Sequence, residues 1–168
     1  NLPFFRLEAA SAVVLTERAW RLGDPARLRT APERNAYALA RTMAGDPTGP
    51  ALLLELALEA GKDVEAGHRL GAAVGWPLVW VEEYATARTL LTWAVGVQRA
   101  GGSLLHLPQS LIELAELDFR VGRWVPALAG AYEAIALFEE TSQRTELAAA
   151  QGTAARIEAA LGRDEDCR

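Results

Sequence analysis

The sequence predicts an all-α fold of antiparallel helical hairpins. First, Ala and Leu together make up about a third of the 168 residues, while Ile occurs only at 112, 135 and 157. That bias favours helix and leaves few β-branched strand formers. Second, apolar residues recur at steps of three or four between Gly and Pro marks. Third, the links between these periodic stretches, apart from residues 23–31, are two to five residues long, which favours antiparallel neighbours.

Taken in order, the periodicity predicts helices over roughly 4–22, 32–44, 50–60, 63–74, 78–100, 105–121, 124–141 and 145–161, with another beginning near 164. The breaks fall at Gly23-Asp24-Pro25, at Gly45-Asp46-Pro47 with Gly49-Pro50, and at Gly61, Gly75-Trp76-Pro77, Gly101-Gly102, Gly122 and Gly162. Pro77, Pro108 and Pro126 are placed in first turns, where a missing N–H costs little. Gly101, Gly122 and Gly162 are placed where a helix C-terminus needs a left-handed residue. The clearest series are Leu104, Leu107, Leu111, Leu114, Leu117, Val121, then Val125, Leu128, Tyr132, Ile135, Phe138. The segment 76–84 is irregular, and Val79, Trp80 and Val81 read as a short separate turn.

The chain also repeats itself. Gly122-Arg123-Trp124 matches Gly162-Arg163-Asp164, and Ala115-Glu116-Leu117 matches Ala155-Arg156-Ile157, both at a shift of 40. Ala87, Leu91 and Ala94 match Ala127, Ala131 and Ala134, Tyr84 matches Trp124, and Ala127 matches Cys167. A related mark, Gly61-Lys62-Asp63-Val64-Glu65-Ala66, lies out of step and makes the N-terminal side irregular. A small residue at a fixed place in the second helix of each pair lets two helices approach closely. Hairpins that leave one apolar face uncovered must stack. This divides the chain into irregular hairpins over 1–75 and regular repeats over 76–168, the last one cut short.

The Gly-x-aromatic-x-x-Ala mark resembles a tetratricopeptide repeat, although Ala131 stands where that family usually carries an aromatic and its usual period is 34. Over about 80–165 the likeness extends further. Glu83-Tyr84-Ala85-Thr86-Ala87-Arg88, Arg99 to Pro108, Leu114-Ala115-Glu116-Leu117, Val121-Gly122-Arg123-Trp124 and Glu140-Thr141-Ser142-Gln143 resemble the helical repeat region of large bacterial LuxR-type regulators. The resemblance implies a tetratricopeptide-like α-solenoid that follows an ATP-binding domain and precedes a DNA-binding helix-turn-helix. Neither of those two elements occurs in these residues, so neither activity is implied for them.

Composition narrows the function classes. A net charge of −5 with 17 basic and 22 acidic residues opposes direct nucleic-acid contact, which needs clustered cations against phosphates. Cys167 is the single cysteine, so no internal disulfide or multi-cysteine zinc site is available. With no signal-like or 18-residue apolar stretch, the reading is a cytoplasmic protein with no membrane association. The start at Asn1 without Met reads as a fragment or processed piece.

No chemistry-bearing constellation emerges. Gly45-Asp46-Pro47-Thr48-Gly49-Pro50 lacks the Lys-Ser/Thr of a phosphate loop. His68 and His106 have no metal-ligand spacing and read as surface or capping residues, and Cys167 as a small packing residue. Glu82-Glu83 and Asp164-Glu165-Asp166 suit helix N-termini, whereas Glu139-Glu140 stands against the dipole at a C-terminus. Trp93 and Trp124 read as core, and Trp76 and Trp80 as packing residues or groove walls.

The candidate interaction face is Gln109, Glu113, Glu116 and Arg120, a polar stripe stepping by four, three and four along one helix. It reads as the lining of a concave surface, or as an ordinary solvated face. Its counterparts 40 residues on are Ala149, Thr153, Arg156 and Ala160. The expected function is a non-catalytic interaction or sensing module of a transcription regulator, without cofactor or metal. Its partner would be a protein, a peptide or a small-molecule effector, and homo-oligomers are compatible. The alternatives are a free-standing adaptor and, less well supported, a small helical enzyme.

Overall fold

The computed structural model describes residues 9–22, 31–60 and 64–163, and all regular structure among them is helical. The helices are α1 Ala9–Leu22, α2 Ala31–Met43, α3 Thr48–Ala60, α4 Val64–Trp80, α5 Tyr84–Ala100, α6 Leu107–Arg120, α7 Trp124–Glu140 and α8 Arg144–Ala160. They divide between two compact units, one up to Thr86 and one from Ala87 onward. The expected helix near 164, the mark at Gly23-Asp24-Pro25, Gly61-Lys62-Asp63, the Asp164-Glu165-Asp166 group and Cys167 lie outside the described residues.

In the first unit α2 packs on α1, α3 and α4, and α3 packs on α4. Its apolar centre includes Ala38, Leu53, Leu56, Val74, Leu78 and Val79. Asp46 starts α3 by accepting the Thr48 backbone N–H at 2.9 Å and the Thr48 hydroxyl at 2.7 Å. These two bonds hold the Asp46 carboxyl below its ordinary range. Close approach of α2 and α3 depends on Gly49, where an added Cβ would stand 2.8 Å from Thr42 Cα and nearer still to its backbone nitrogen.

The expected break at Gly75-Trp76-Pro77 is not a break. Pro77 lies inside α4, which continues to Trp80, and the turn comes at Val81-Glu82-Glu83 instead. Val79 and Trp80 therefore finish α4 rather than forming a separate turn. An interior proline leaves the carbonyl four residues back without its helical donor. That carbonyl belongs to Ala73, and Asn35 Nδ2 of α2 donates to it at 3.1 Å. A side chain distant in sequence thus replaces the bond that Pro77 removes.

In the second unit α6 and α7 are antiparallel. Leu107 and Leu111 share a core with Ala134 and Phe138, while Ala115 shares one with Ala127. α7 and α8 are antiparallel too, with Phe138 clustered with Ala150, and Ala127 and Ala131 with Ala154 and Ile157. α6 and α8 consequently run parallel. α5 joins through Val95 and through Arg88–Asp118 at 2.5 Å and Arg99–Glu133 at 2.6 Å. Ala87, Leu91, Ala94, Ala127, Ala131 and Ala134, the residues matched across the repeat, are all buried.

From Glu82 onward the turns keep a strict metre. Glu82, Gly102, Gly122, Ser142 and Gly162 have positive φ, between 57° and 79°, and stand 20 residues apart. After each, a backbone N–H reaches five residues back: Glu83 to Leu78, Ser103 to Gln98, Arg123 to Asp118, Gln143 to Phe138 and Arg163 to Glu158, at 2.8–3.0 Å. This is the Schellman closure of a helix C-terminus. The left-handed residue of the turn after α5 is therefore Gly102 and not Gly101, because α5 extends through Ala100. Glu82 and Ser142 adopt the conformation without being glycine, at a cost of about 1 kcal/mol each. At Ser142 the turn is braced on both sides: Thr141 Oγ1 donates to the Leu137 carbonyl at 2.7 Å, and Gln143 Nε2 donates to Thr141 Oγ1 at 2.7 Å.

Candidate functional site

The stripe of Gln109, Glu113, Glu116 and Arg120 lies on α6, as its spacing requires, but it is not a uniformly solvated face. Gln109 and Arg120 are exposed, whereas Glu113 and Glu116 are buried. Gln109 Nε2 donates to Glu113 Oε1 at 2.9 Å, one turn along the helix. Arg120 Nε donates to Glu116 Oε1 at 3.0 Å. Arg156 of α8 donates to Glu116 Oε2 at 2.6 Å, so the two residues aligned at a shift of 40 are joined directly. Arg156 also lies 5.7 Å from the Phe119 ring centroid, within range of a cation–π attraction. Two guanidiniums thus hold one buried carboxylate between two parallel helices.

Glu113 is different. It has an amide partner and no guanidinium, and its Oε2 is buried without a hydrogen-bond partner. Burial pushes its carboxyl up to about 7, against the smaller opposite effect of the Gln109 hydrogen bond. Ser110 Oγ, one turn away, is likewise buried and unpartnered. Near neutral pH the Glu113 side chain is therefore divided between neutral and charged forms.

Two more buried carboxylates were not singled out by the sequence. Asp118 is 5% exposed and accepts from Arg88 of α5 at 2.5 Å, with Arg123 at 3.7 Å. Glu158 is 3% exposed and accepts from the Tyr132 hydroxyl of α7. These two residues are 40 apart, each near the end of a helix, and each is bound by a side chain from the preceding helix. The repeat itself carried that signal, since the matched segments 115–117/155–157 and 122–124/162–164 flank the pair on both sides.

The remaining sequence candidates scatter. His106 stands immediately before α6, exposed and without a capping hydrogen bond from its side chain. The side chain of His68 lies outside the described residues. Trp93 is half-buried, whereas Trp124 is 39% exposed and is not a core residue. It occupies the first position of α7, where only later residues of the helix turn inward. Trp76 and Trp80 meet edge to face at 5.8 Å, with Trp80 exposed. Glu139 and Glu140 are exposed at the end of α7 and have no ion-pair partner among the described residues.

Among the described residues there is no group of three or more side chains able to share a metal ion, and no helix long and apolar enough to cross a membrane. No protein-family model matches the chain, and no curated protein matches it.

Proposed function

We propose that this chain is a non-catalytic interaction or sensing module, a tetratricopeptide-like α-solenoid from a bacterial LuxR-type transcription regulator. The observation that carries the reading is the 20-residue metre of left-handed turns from Glu82 to Gly162. Two such units make one 40-residue hairpin, with Ala87, Ala94, Ala127 and Ala134 buried at matching places. Repeats of one supersecondary unit bury a continuous core and offer an extended binding surface. Proteins or peptides are the partners such a surface suits, with a small-molecule effector as a variant of the same role.

The α6 stripe supports a role in transmission rather than a simple contact patch. Glu116 ties α6 to α8 through Arg156, so a ligand that engages Arg156 or Arg120 competes with an internal bond. Such competition alters the relation between successive hairpins, which is the differential interaction that a population shift requires. Cytoplasmic location follows from the same proposal.

The gene on either side of this segment provides the test. A phosphate-binding loop encoded upstream and a helix-turn-helix encoded downstream are expected. An open reading frame lacking both would refute the regulator and leave a free-standing adaptor as the reading.

A further inference from the structure

The outer face of α7 is apolar where the fold does not ask for it. Val125, Ala129, Tyr132 and Ala136 step by four, three and four and form one stripe along the helix. All four are exposed, Val125 at 72% and Tyr132 at 48%. The Tyr132 hydroxyl is bound to Glu158, which fixes the ring while leaving much of it open. The matching positions 40 residues earlier are Ala85, Thr89, Thr92 and Gly96, which are also exposed. The position therefore faces outward in both helices, and only in α7 does it carry large apolar groups.

We propose that this stripe is a self-complementary docking surface for a second copy of the chain, with the two α7 helices antiparallel about a twofold axis. The order along the stripe is large, small, large, small. An antiparallel copy presents small, large, small, large, so Val125 meets Ala136 and Ala129 meets Tyr132, each contact occurring twice. A parallel copy would set Val125 on Val125 and Tyr132 on Tyr132. Large residues seated on alanines let helix axes approach to about 8–10 Å. The contact is isologous, as a closed dimer requires.

The charges at the two ends fit the same arrangement. Arg123, 55% exposed at its side chain, precedes the helix, and Glu139 and Glu140 end it. Antiparallel pairing brings Arg123 of one copy beside Glu139 and Glu140 of the other. Those carboxylates oppose the helix dipole at their own C-terminus, and a facing guanidinium offsets that cost. One helix pair buries less than the roughly 1,600 Å² of a standard interface, so association is weak, with a dissociation constant on the order of 10–100 μM.

Sedimentation velocity of the 168-residue protein from about 10 μM to about 500 μM tests this, since that range brackets the expected constant. The expected result is a concentration-dependent monomer–dimer exchange. Ala129→Arg, at an exposed helical position, is expected to weaken it at least about tenfold while circular dichroism stays unchanged. Glu139→Arg/Glu140→Arg is expected to weaken it too. A protein that stays monomeric throughout overturns the proposal, leaving the stripe to a different partner. Dimerisation that Ala129→Arg does not weaken overturns it as well.

Discussion

Glu113 makes the stability of the second unit depend on pH in an unusual direction. Its carboxyl is raised from an ordinary 4.5 to about 7 in the folded protein. Between those values the folded state keeps a proton that the unfolded chain has released. Stability from this group is therefore full below the unfolded value and is lost as pH rises through the folded one. At 1.36 kcal/mol per tenfold, the loss between pH 5 and pH 8 is on the order of 2–3 kcal/mol. Glu113→Gln keeps the shape and removes the titration. Urea unfolding at both pH values, for wild type and variant, reads the difference. The wild type should lose roughly 2–3 kcal/mol more than the variant across that interval. Parallel profiles would show that Glu113 does not hold its proton in the folded protein and would refute the reasoning.

Four further outcomes follow from the same geometry. Arg88→Ala leaves Asp118 buried with only the longer Arg123 contact and should cost about 3 kcal/mol, read as a lowered urea midpoint. Ser142→Gly should raise thermal stability by about 1 kcal/mol by relieving a positive φ, while Gly122→Ala, at the preceding left-handed position, should lower it by a similar amount. Asn35→Ala should cost about 1 kcal/mol by stripping the Ala73 carbonyl of its donor. Pro77→Ala in that background should recover part of the loss, and thermal melts of the two variants check both. Gly49→Ala should destabilise by about 1–3 kcal/mol, because its Cβ meets the Thr42 backbone rather than a movable side chain; an unchanged melting temperature would contradict the close approach.

The dimer and the regulator proposals make separate demands. The first concerns only the face of α7 and stands or falls on self-association. The second concerns what the gene encodes around this segment. Either can fail without the other.

The sequence by itself determined the all-helical class, the number of helices among the described residues and most of their limits. Those features rest on neighbours within one or two turns: apolar spacing and a glycine at 122 or 162. The 40-residue spacing was legible for the same reason, since each turn repeats a local chemistry. Where the reading of Pro77 and of the α6 stripe failed, a distant group intervened. Pro77 sits inside a helix because Asn35 of another helix supplies the missing bond. Glu113 and Glu116 lie on the predicted stripe, yet one is buried with only an amide partner and the other between two guanidiniums, one of them 40 residues away. Helix periodicity states which residues share a face. Whether that face meets water or an arginine is settled by packing, because the cost of burying a carboxylate depends on what surrounds it and not on its neighbours in the chain.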